Sequence, residues 1–349
     1  MVRGPQKRIA AVFAGQGAQY PGMGRSLYET SAAARSVFEA AGEKVMRDCF
    51  EASREELDVT DVTQPAVYTV DMAAWAAFAE RLGLAWPGGA LRTEPAMCGV
   101  EIVGMAGFSL GEYAAFTAAG VIPGVERGIE LIKERGRLMA LAGRHSDGSP
   151  RGAMAAVLGA REDIMELVQK ARGPWVLEAV NLNAPTQTAI AGDAEAIEAF
   201  AALAKGSGRK LRVMPLPVST AFHSPIMAPA SDGIREAASQ MEFGEPEYEL
   251  YLDMTAGTLA EYMREMAPGA GIAEAVPEIM AGQVRSPVRW QEVTEALAAS
   301  GADVIVEFGP GKTLTGLAKK TVPGLTAVNV EDAETLEKAI SAVCGPTNR

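Results

Sequence analysis

Apolar and polar positions fall into blocks along the chain that read alternately as strands and helices. Ile9 to Phe13 is an apolar run of strand length entering the glycine-rich turn Gly15-Gln16-Gly17-Ala18-Gln19. Helical spacing predicts helices from about Ala32 to Cys49 and from about Pro65 to Leu82, the second apolar on most faces. Leu84 to Cys98 reads as a loop of low periodicity containing Gly, Pro and Arg. A second strand, Val100 to Ala106, runs into a helix from Leu110 to Ala119 that Gly120 stops. Such alternation predicts a parallel sheet sandwiched by helices.

The pattern changes at Gly143 to Gly152, a polar stretch rich in turn residues that reads as a boundary. Beyond it come a strand (Ala153 to Leu158), a helix (Arg161 to Ala171), strands (Leu177 to Leu182 and Gln187 to Ala191), a helix (Ala194 to Lys205) and a strand (Lys210 to Leu216). That is βαββαβ, the split order of ferredoxin-like modules. A helical stretch near Pro225 to Met241, a strand at Val304 to Phe308 and a closing strand and helix from Ala327 to Val343 return to the first pattern. The expected fold is α/β: a large α/β-hydrolase-like domain with a mostly parallel sheet, residues 1–151 and 217–349, interrupted by a small ferredoxin-like α+β domain, 152–216.

Composition agrees with a globular enzyme: of 349 residues, 48% are hydrophobic and 22% charged. No apolar run is long enough to span a bilayer and the start is too short for a secretory signal, so a cytoplasmic location is expected. Subtracting 44 Asp and Glu from 32 Lys and Arg gives −12, which argues against general attraction to nucleic acid or an anionic membrane. Cys49, Cys98 and Cys344 form neither an even disulfide set nor a metal-spaced cluster and are expected to be inert. With only two histidines and no metal motif, neither a metal nor a cofactor is expected.

Four features bear chemistry. Gly107-Phe108-Ser109-Leu110-Gly111 lies between a strand and a helix, where flanking glycines allow a strained turn that exposes a serine beside the helix amino terminus; alone, it also fits an ordinary glycine-rich turn. His223 lies where the chain leaves the small domain for the large one, as a general base for Ser109 or as a structural histidine; His145, in the linker, reads as exposed and inert. In the helix from Gly128 to Leu141, Ile129, Leu131, Ile132, Leu138 and Met139 make one apolar stripe, with Arg135 projecting from its middle and Lys133, Glu134 and Arg137 opposite. An arginine facing a core needs a partner, either an internal carboxylate or a substrate carboxylate gripped by two parallel hydrogen bonds. Gly309-Pro310-Gly311-Lys312-Thr313 is not a phosphate loop, because Val306 stands where the motif needs glycine; it reads as a tight strand-to-helix turn.

Together these residues resemble the malonyl-CoA:acyl carrier protein transacylases and the related acyltransferase domains of polyketide and fatty acid synthases. The landmarks run in family order: Gly15-Gln16-Gly17-Ala18-Gln19, Thr63-Gln64-Pro65-Ala66, the Ser109 turn extended by Glu112-Tyr113, Arg135-Gly136-Arg137-Leu138-Met139, Asn181-Leu182-Asn183-Ala184-Pro185, Phe222-His223-Ser224-Pro225-Ile226-Met227, Ser286-Pro287-Val288-Arg289-Trp290 and Gly309-Pro310-Gly311-Lys312. The resemblance implies that Ser109 attacks the thioester of malonyl-CoA, that His223 serves as base and acid, and that Arg135 binds the malonyl carboxylate. Gln16 and the backbone N–H of Leu110 would line the oxyanion hole, and Gln64, Asn183 and Phe222 would contact substrate. Holo acyl carrier protein would take the acyl group, the enzyme acting as a monomer, and the histidine would be held by backbone carbonyls near the Ser-Pro-Val segment.

Two departures from the family pattern stand out. Phe108 replaces the histidine usual before the serine, which removes a hydrogen-bond donor, and the loop from Leu84 to Cys98 is longer than typical. Thr220-Ala221-Phe222-His223 resembles malonyl-selective members, in which the aromatic side chain excludes an α-methyl branch, a discrimination of about 1–3 kcal/mol. The competing readings are a serine thioesterase or esterase of α/β-hydrolase type, with Asp193 as its acidic member, and a silent carrier-binding subunit. Lys312, Lys319, Lys320 and Arg285 are the basic residues expected to meet an acidic carrier protein.

Overall fold

The computed structural model of the chain describes residues 7–84, 99–218 and 220–345; the expected loop at 85–98, with Cys98, lies outside them, as does Ser219. The strands among the described residues are β1 (Lys7–Phe13), β2 (Val100–Gly107), β3 (Ala153–Leu158), β4 (Leu177–Ala184), β5 (Gln187–Gly192), β6 (Arg212–Pro215), β7 (Leu250–Tyr251), β8 (Val304–Phe308) and β9 (Thr326–Val330). One sheet has the order β7-β2-β1-β8-β9, and every neighbouring pair in it is parallel. β1 is buried on both faces, which is why it reads as an unbroken apolar run. The strand order reverses on either side of β1, and in open parallel sheets the crevice beyond the carboxyl ends at such a point is where ligands bind. Gln16, Ser109 and Asp253 follow the carboxyl ends of β1, β2 and β7.

Helix Thr60–Leu82 is buried almost all round, and its Trp75 and Phe78 interlock with Phe13 of β1 and Phe308 of β8, ring centroids 5.1–6.3 Å apart. It starts five residues before Pro65, where the sequence reading begins it. The first turns carry polar Thr60, Thr63 and Gln64, which hides the apolar period there. The single helix expected from Ala32 to Cys49 is two, Ala32–Ala41 and Glu43–Glu51; Gly42, at φ 87°, caps the first with its N–H on the Phe38 and Glu39 carbonyls.

The second sheet, β4-β5-β3-β6, is antiparallel throughout, and helices Arg161–Arg172 and Ala194–Gly206 pack on it around a separate core that includes Val157, Ile164, Leu167 and Phe200. This is the ferredoxin-like module in the expected element order. Its edge strand β6 is shorter than the Lys210 to Leu216 expected. The two sheets are tied where Leu182 N–H donates to the Val288 carbonyl and Val288 N–H to the Val180 carbonyl, each at 2.8 Å. Between Met241 and Val304, where the sequence reading assigns no element, lie β7 and helices Leu259–Glu265, Ile272–Gln283 and Trp290–Ala299. Pro277 inside the second of these and the Gly and Pro between them break the periodicity.

Cys49 is a free, buried thiol, whereas Cys344 is disulfide-bonded, which corrects the expectation of no disulfide for that residue. Among the described residues no helix is long and apolar enough to cross a membrane.

Candidate active site

β2 ends two residues before Ser109, which adopts φ 55°, a left-handed conformation that costs a non-glycine residue roughly 1–2 kcal/mol. The glycines around it leave no alternative. A Cβ on Gly107 would lie 1.9 Å from the backbone carbon of Gly111, and one on Gly111 would lie 2.3 Å from the Phe13 carbonyl oxygen. The strained peptide is gripped from both sides: Ser109 N–H donates to Asp253 Oδ2 at 2.8 Å, and Gln283 Nε2 donates to the Ser109 carbonyl at 2.8 Å.

His223 is also left-handed, at φ 61°, just before a 3₁₀ turn at Pro225–Met227 that Ser224 caps. Its Nδ1 lies 3.0 Å from the Gln283 carbonyl oxygen and 3.1 Å from that of Ser286. Carbonyls only accept, so Nδ1 carries the proton and the Nε2 lone pair faces Ser109 Oγ at 2.7 Å. Burial, and after it the charge of Arg135, pushes the imidazole pKa down to about 4, so the ring is neutral at pH 7.

Arg135 stands on helix Val125–Ala142 and is 1% exposed. Nη1 donates to Gln64 Oε1 at 2.6 Å, and Nη2 donates to Ser109 Oγ at 3.0 Å and Gln283 Oε1 at 3.2 Å. All three acceptors are neutral. Among the described residues Arg135 forms no direct ion pair; the buried carboxyls of Asp253 and Glu112 act on it through space, and the guanidinium lies over the Tyr113 ring at 5.1 Å. From Gln64 the network continues through Thr60 Oγ1, at 3.1 Å, to Gln16 Oε1, at 2.8 Å. The backbone N–H groups of Gln16 and Leu110 donate to nothing among the described residues. A cleft of about 430 Å³, lined in part by Gln16, Thr60, Thr220 and Phe222, opens beside Gln16.

A serine between a neutral imidazole and an arginine, with two N–H groups that have no acceptor among the described residues, has the parts needed for acyl transfer. Residues 11–341 match the family model described as the acyl transferase domain. The chain belongs to that family.

This acyltransferase is 34% identical over 342 residues to the malonyl CoA-acyl carrier protein transacylase of Bacillus subtilis, covering 96% of this chain and 97% of the relative. With the Escherichia coli K12 protein of the same name it shares 32% over 340 residues, 95% of this chain and 99% of the relative. Among solved structures it superposes on the malonyl-CoA:acyl carrier protein transacylase of Xanthomonas oryzae pv. oryzae with TM-score 0.83, 30% identity and coverage of 96% and 98%. A structure titled as a type II PKS acyl-carrier protein in complex with its malonyl-transacylase gives TM-score 0.82 at 32% identity, with 97% and 99% covered.

Of the residues singled out in the sequence, Ser109, His223, Arg135, Gln64 and Gln16 are joined in one hydrogen-bonded network, and Phe222 lines the cleft. Asn183 is not part of the network: it sits on β4, and its Oδ1 is buried without a partner among the described residues. Asp193, the acid of the hydrolase reading, instead caps the backbone of the small module, its Oδ2 accepting from Val176 N–H at 2.8 Å, while the imidazole Nδ1 is taken by carbonyls. Phe108 packs against Trp290, ring centroids 5.4 Å apart, and His145 is exposed. The sequence reading missed Gln283 and Asp253 and gave Glu112, named only within a landmark, no role. Only Glu112 left a signal, as a charged residue in the otherwise apolar helix Gly111–Ala118.

Proposed function

We propose that this acyltransferase moves a malonyl group from malonyl-CoA to the phosphopantetheine thiol of an acyl carrier protein through an ester on Ser109. The observation that carries the reading is Ser109 Oγ held 2.7 Å from His223 Nε2 and 3.0 Å from an arginine with no carboxylate partner among the described residues. The names of the relatives and the titled carrier complex support the donor and acceptor. Arg135, steadied by Gln64, receives the malonyl carboxylate in two parallel hydrogen bonds. Ser109 Oγ attacks the thioester carbonyl while its proton passes to His223 Nε2, and the oxyanion is met by the N–H groups of Gln16 and Leu110. The C–S bond breaks, the proton leaves with the CoA thiol, and the malonyl-serine remains. The carrier thiol reverses the sequence: it gives its proton to His223, attacks the ester, and returns Ser109 to the hydroxyl form. Phe222, bordering the cleft, stands against an α-methyl branch, and Asn183 is assigned a contact with the donor outside the network.

Intact-mass spectrometry after brief mixing with malonyl-CoA and then with holo carrier tests this. The expected result is a malonyl adduct that moves to the carrier, is absent in Ser109→Ala and is weak in Arg135→Ala. Free malonate without carrier acylation would instead make the chain a hydrolase, and no adduct would remove malonyl-CoA as donor. The same reading takes 152–216 as a small domain inserted into a large one, within a monomer working in the cytoplasm. Light scattering at twice the chain mass would overturn the monomer.

A further inference from the structure

Two carboxylic acids and one amide pack against the Ser109 peptide without access to solvent: Asp253 after β7, Glu112 in helix Gly111–Ala118, and Gln283 at the end of helix Ile272–Gln283. Asp253 N–H donates to Glu112 Oε1 at 2.8 Å, and Gln283 Nε2, besides holding the Ser109 carbonyl, donates to Glu112 Oε2 at 2.5 Å. Asp253 Oδ2 takes the N–H of Ser109, whereas its Oδ1 is buried with no partner among the described residues. The charged and titratable groups facing this carboxyl are Glu112 and Tyr113 on one helix and Arg135 on another. Arg289 gives only its backbone N–H to the Asp253 carbonyl, at 2.7 Å, and turns its side chain to Glu292 and the Thr255 carbonyl.

An ionised oxygen buried without a donor is unfavourable, because nothing replaces the water it has lost. A protonated Oδ1 removes the larger cost of an unpaired buried charge, and the same burial raises the pKa of both carboxyls above the ordinary range. With Asp253 neutral, Arg135 faces at most one carboxylate and keeps its attraction for an incoming anion. With both acids ionised, its charge is already overmatched.

We infer that Asp253 is a positioning residue of the acyl-transfer site: Oδ2 holds the Ser109 peptide in its left-handed conformation, and a neutral Oδ1 leaves the charge of Arg135 for the carboxylate of the acyl group. The second half rests on the proposed role of Arg135; the first does not.

The test compares wild type, Asp253→Asn and Asp253→Ala, with circular dichroism confirming the fold, by two readouts. One is the rate of Ser109 sulfonylation by methanesulfonyl fluoride, which has no carboxylate and needs no coenzyme. The other is kcat and KM for malonyl-CoA loading from about pH 6 to about pH 9. Sulfonylation is expected to fall roughly 10²-fold in the alanine variant and to recover to within about threefold of wild type in the asparagine variant, which keeps an oxygen for the Ser109 N–H. The wild-type KM is expected to rise about tenfold as the carboxyl ionises, while that of Asp253→Asn stays flat. Sulfonylation equal in alanine variant and wild type, or as poor in the asparagine variant as in the alanine, overturns the positioning role. A wild-type KM as flat as that of Asp253→Asn overturns the charge argument. If malonyl-CoA loads no variant while sulfonylation still separates alanine from asparagine, the proposed substrate falls and the positioning role stands.

Discussion

Protonating His223 is the perturbation that most directly probes the electrostatics of the site. Its pKa is depressed from 6.5 to about 4, which corresponds to about 3 kcal/mol against the charged ring at ~1.4 kcal/mol per pKa unit. At 4% exposure, solvent does little to screen that cost. A base with a pKa near 4 is still almost wholly neutral at about pH 5.5, whereas one near 6.5 is only about one-tenth neutral there. The rate of Ser109 acylation under kcat/KM conditions, followed by rapid quench and intact mass, should therefore show no loss as pH is lowered from about 7.5 to 5.5, and fall only toward pH 4. A loss near tenfold by pH 5.5 would refute the reasoning, because it would mean the ring is solvated or paired with an anion. The same depression acts on stability. The unfolded chain binds a proton at His223 below about pH 6.5 that the folded chain takes up only near pH 4, so this contribution is complete above pH 6.5 and is lost as pH falls through the window. His223→Gln should flatten that part of the melting-temperature profile.

Arg135→Lys keeps the charge but not the fork; losing one charge-assisted hydrogen bond, about 1.5–3 kcal/mol, should lower kcat/KM for malonyl-CoA by about 10- to 100-fold, measured against acetyl-CoA as a donor that needs no clamp. Gly107→Ala would drive a Cβ to 1.9 Å from the Gly111 backbone carbon, and should leave Ser109 unreactive to methanesulfonyl fluoride with a lowered melting temperature. Asp71 is fully buried, both its oxygens lack partners among the described residues, and burial raises its pKa well above the ordinary range. The folded state therefore holds a proton that the unfolded state releases above about pH 4, so stability falls as pH rises from there, and Asp71→Asn should melt higher than wild type by a margin that widens from about pH 5 to pH 8. Lys312, Lys319, Lys320 and Arg285 are all exposed. Reversing their charge should raise the carrier KM in a salt-sensitive way and leave malonyl-CoA loading unchanged; unmoved carrier kinetics would place docking elsewhere.

The fold was legible where periodicity is strong. β1 and β8 are buried on both faces, as β2 is over its last four residues, and they read as strands; the small module declares itself through alternating strand and helix signals between turn residues. Legibility failed in two ways. A glycine at φ 87° divides a helix whose hydrophobic period continues across the break, so Gly42 went unread. Between β7 and β8 the helices are short and interrupted by Pro and Gly, and a two-residue strand has too little length to show any period.

The site divides along a different line. Ser109, His223 and Arg135 could be found because each violates its local pattern: a serine between glycines at a strand end, a rare histidine at a hinge, a charge in an apolar stripe. Asp253 and Gln283 violate nothing near them in sequence. Gln283 lies 174 residues from Ser109 and closes a helix that the apolar pattern does not reveal, and Asp253 lies 144 residues away after a strand of two. Yet Gln283 touches Ser109, Arg135 and His223 together, donating to the Ser109 carbonyl and accepting from Arg135 through its side chain while its backbone carbonyl faces His223 Nδ1. Ser109, His223 and Arg135 stand out by conflict with their neighbours in sequence, whereas Asp253 and Gln283 conflict with nothing near them in sequence, and only tertiary contact gives those meaning. A sequence reading of such a site will therefore name its nucleophile, base and charge before it names what holds them, and the holding groups are where this acyltransferase can differ from a relative that shares all three.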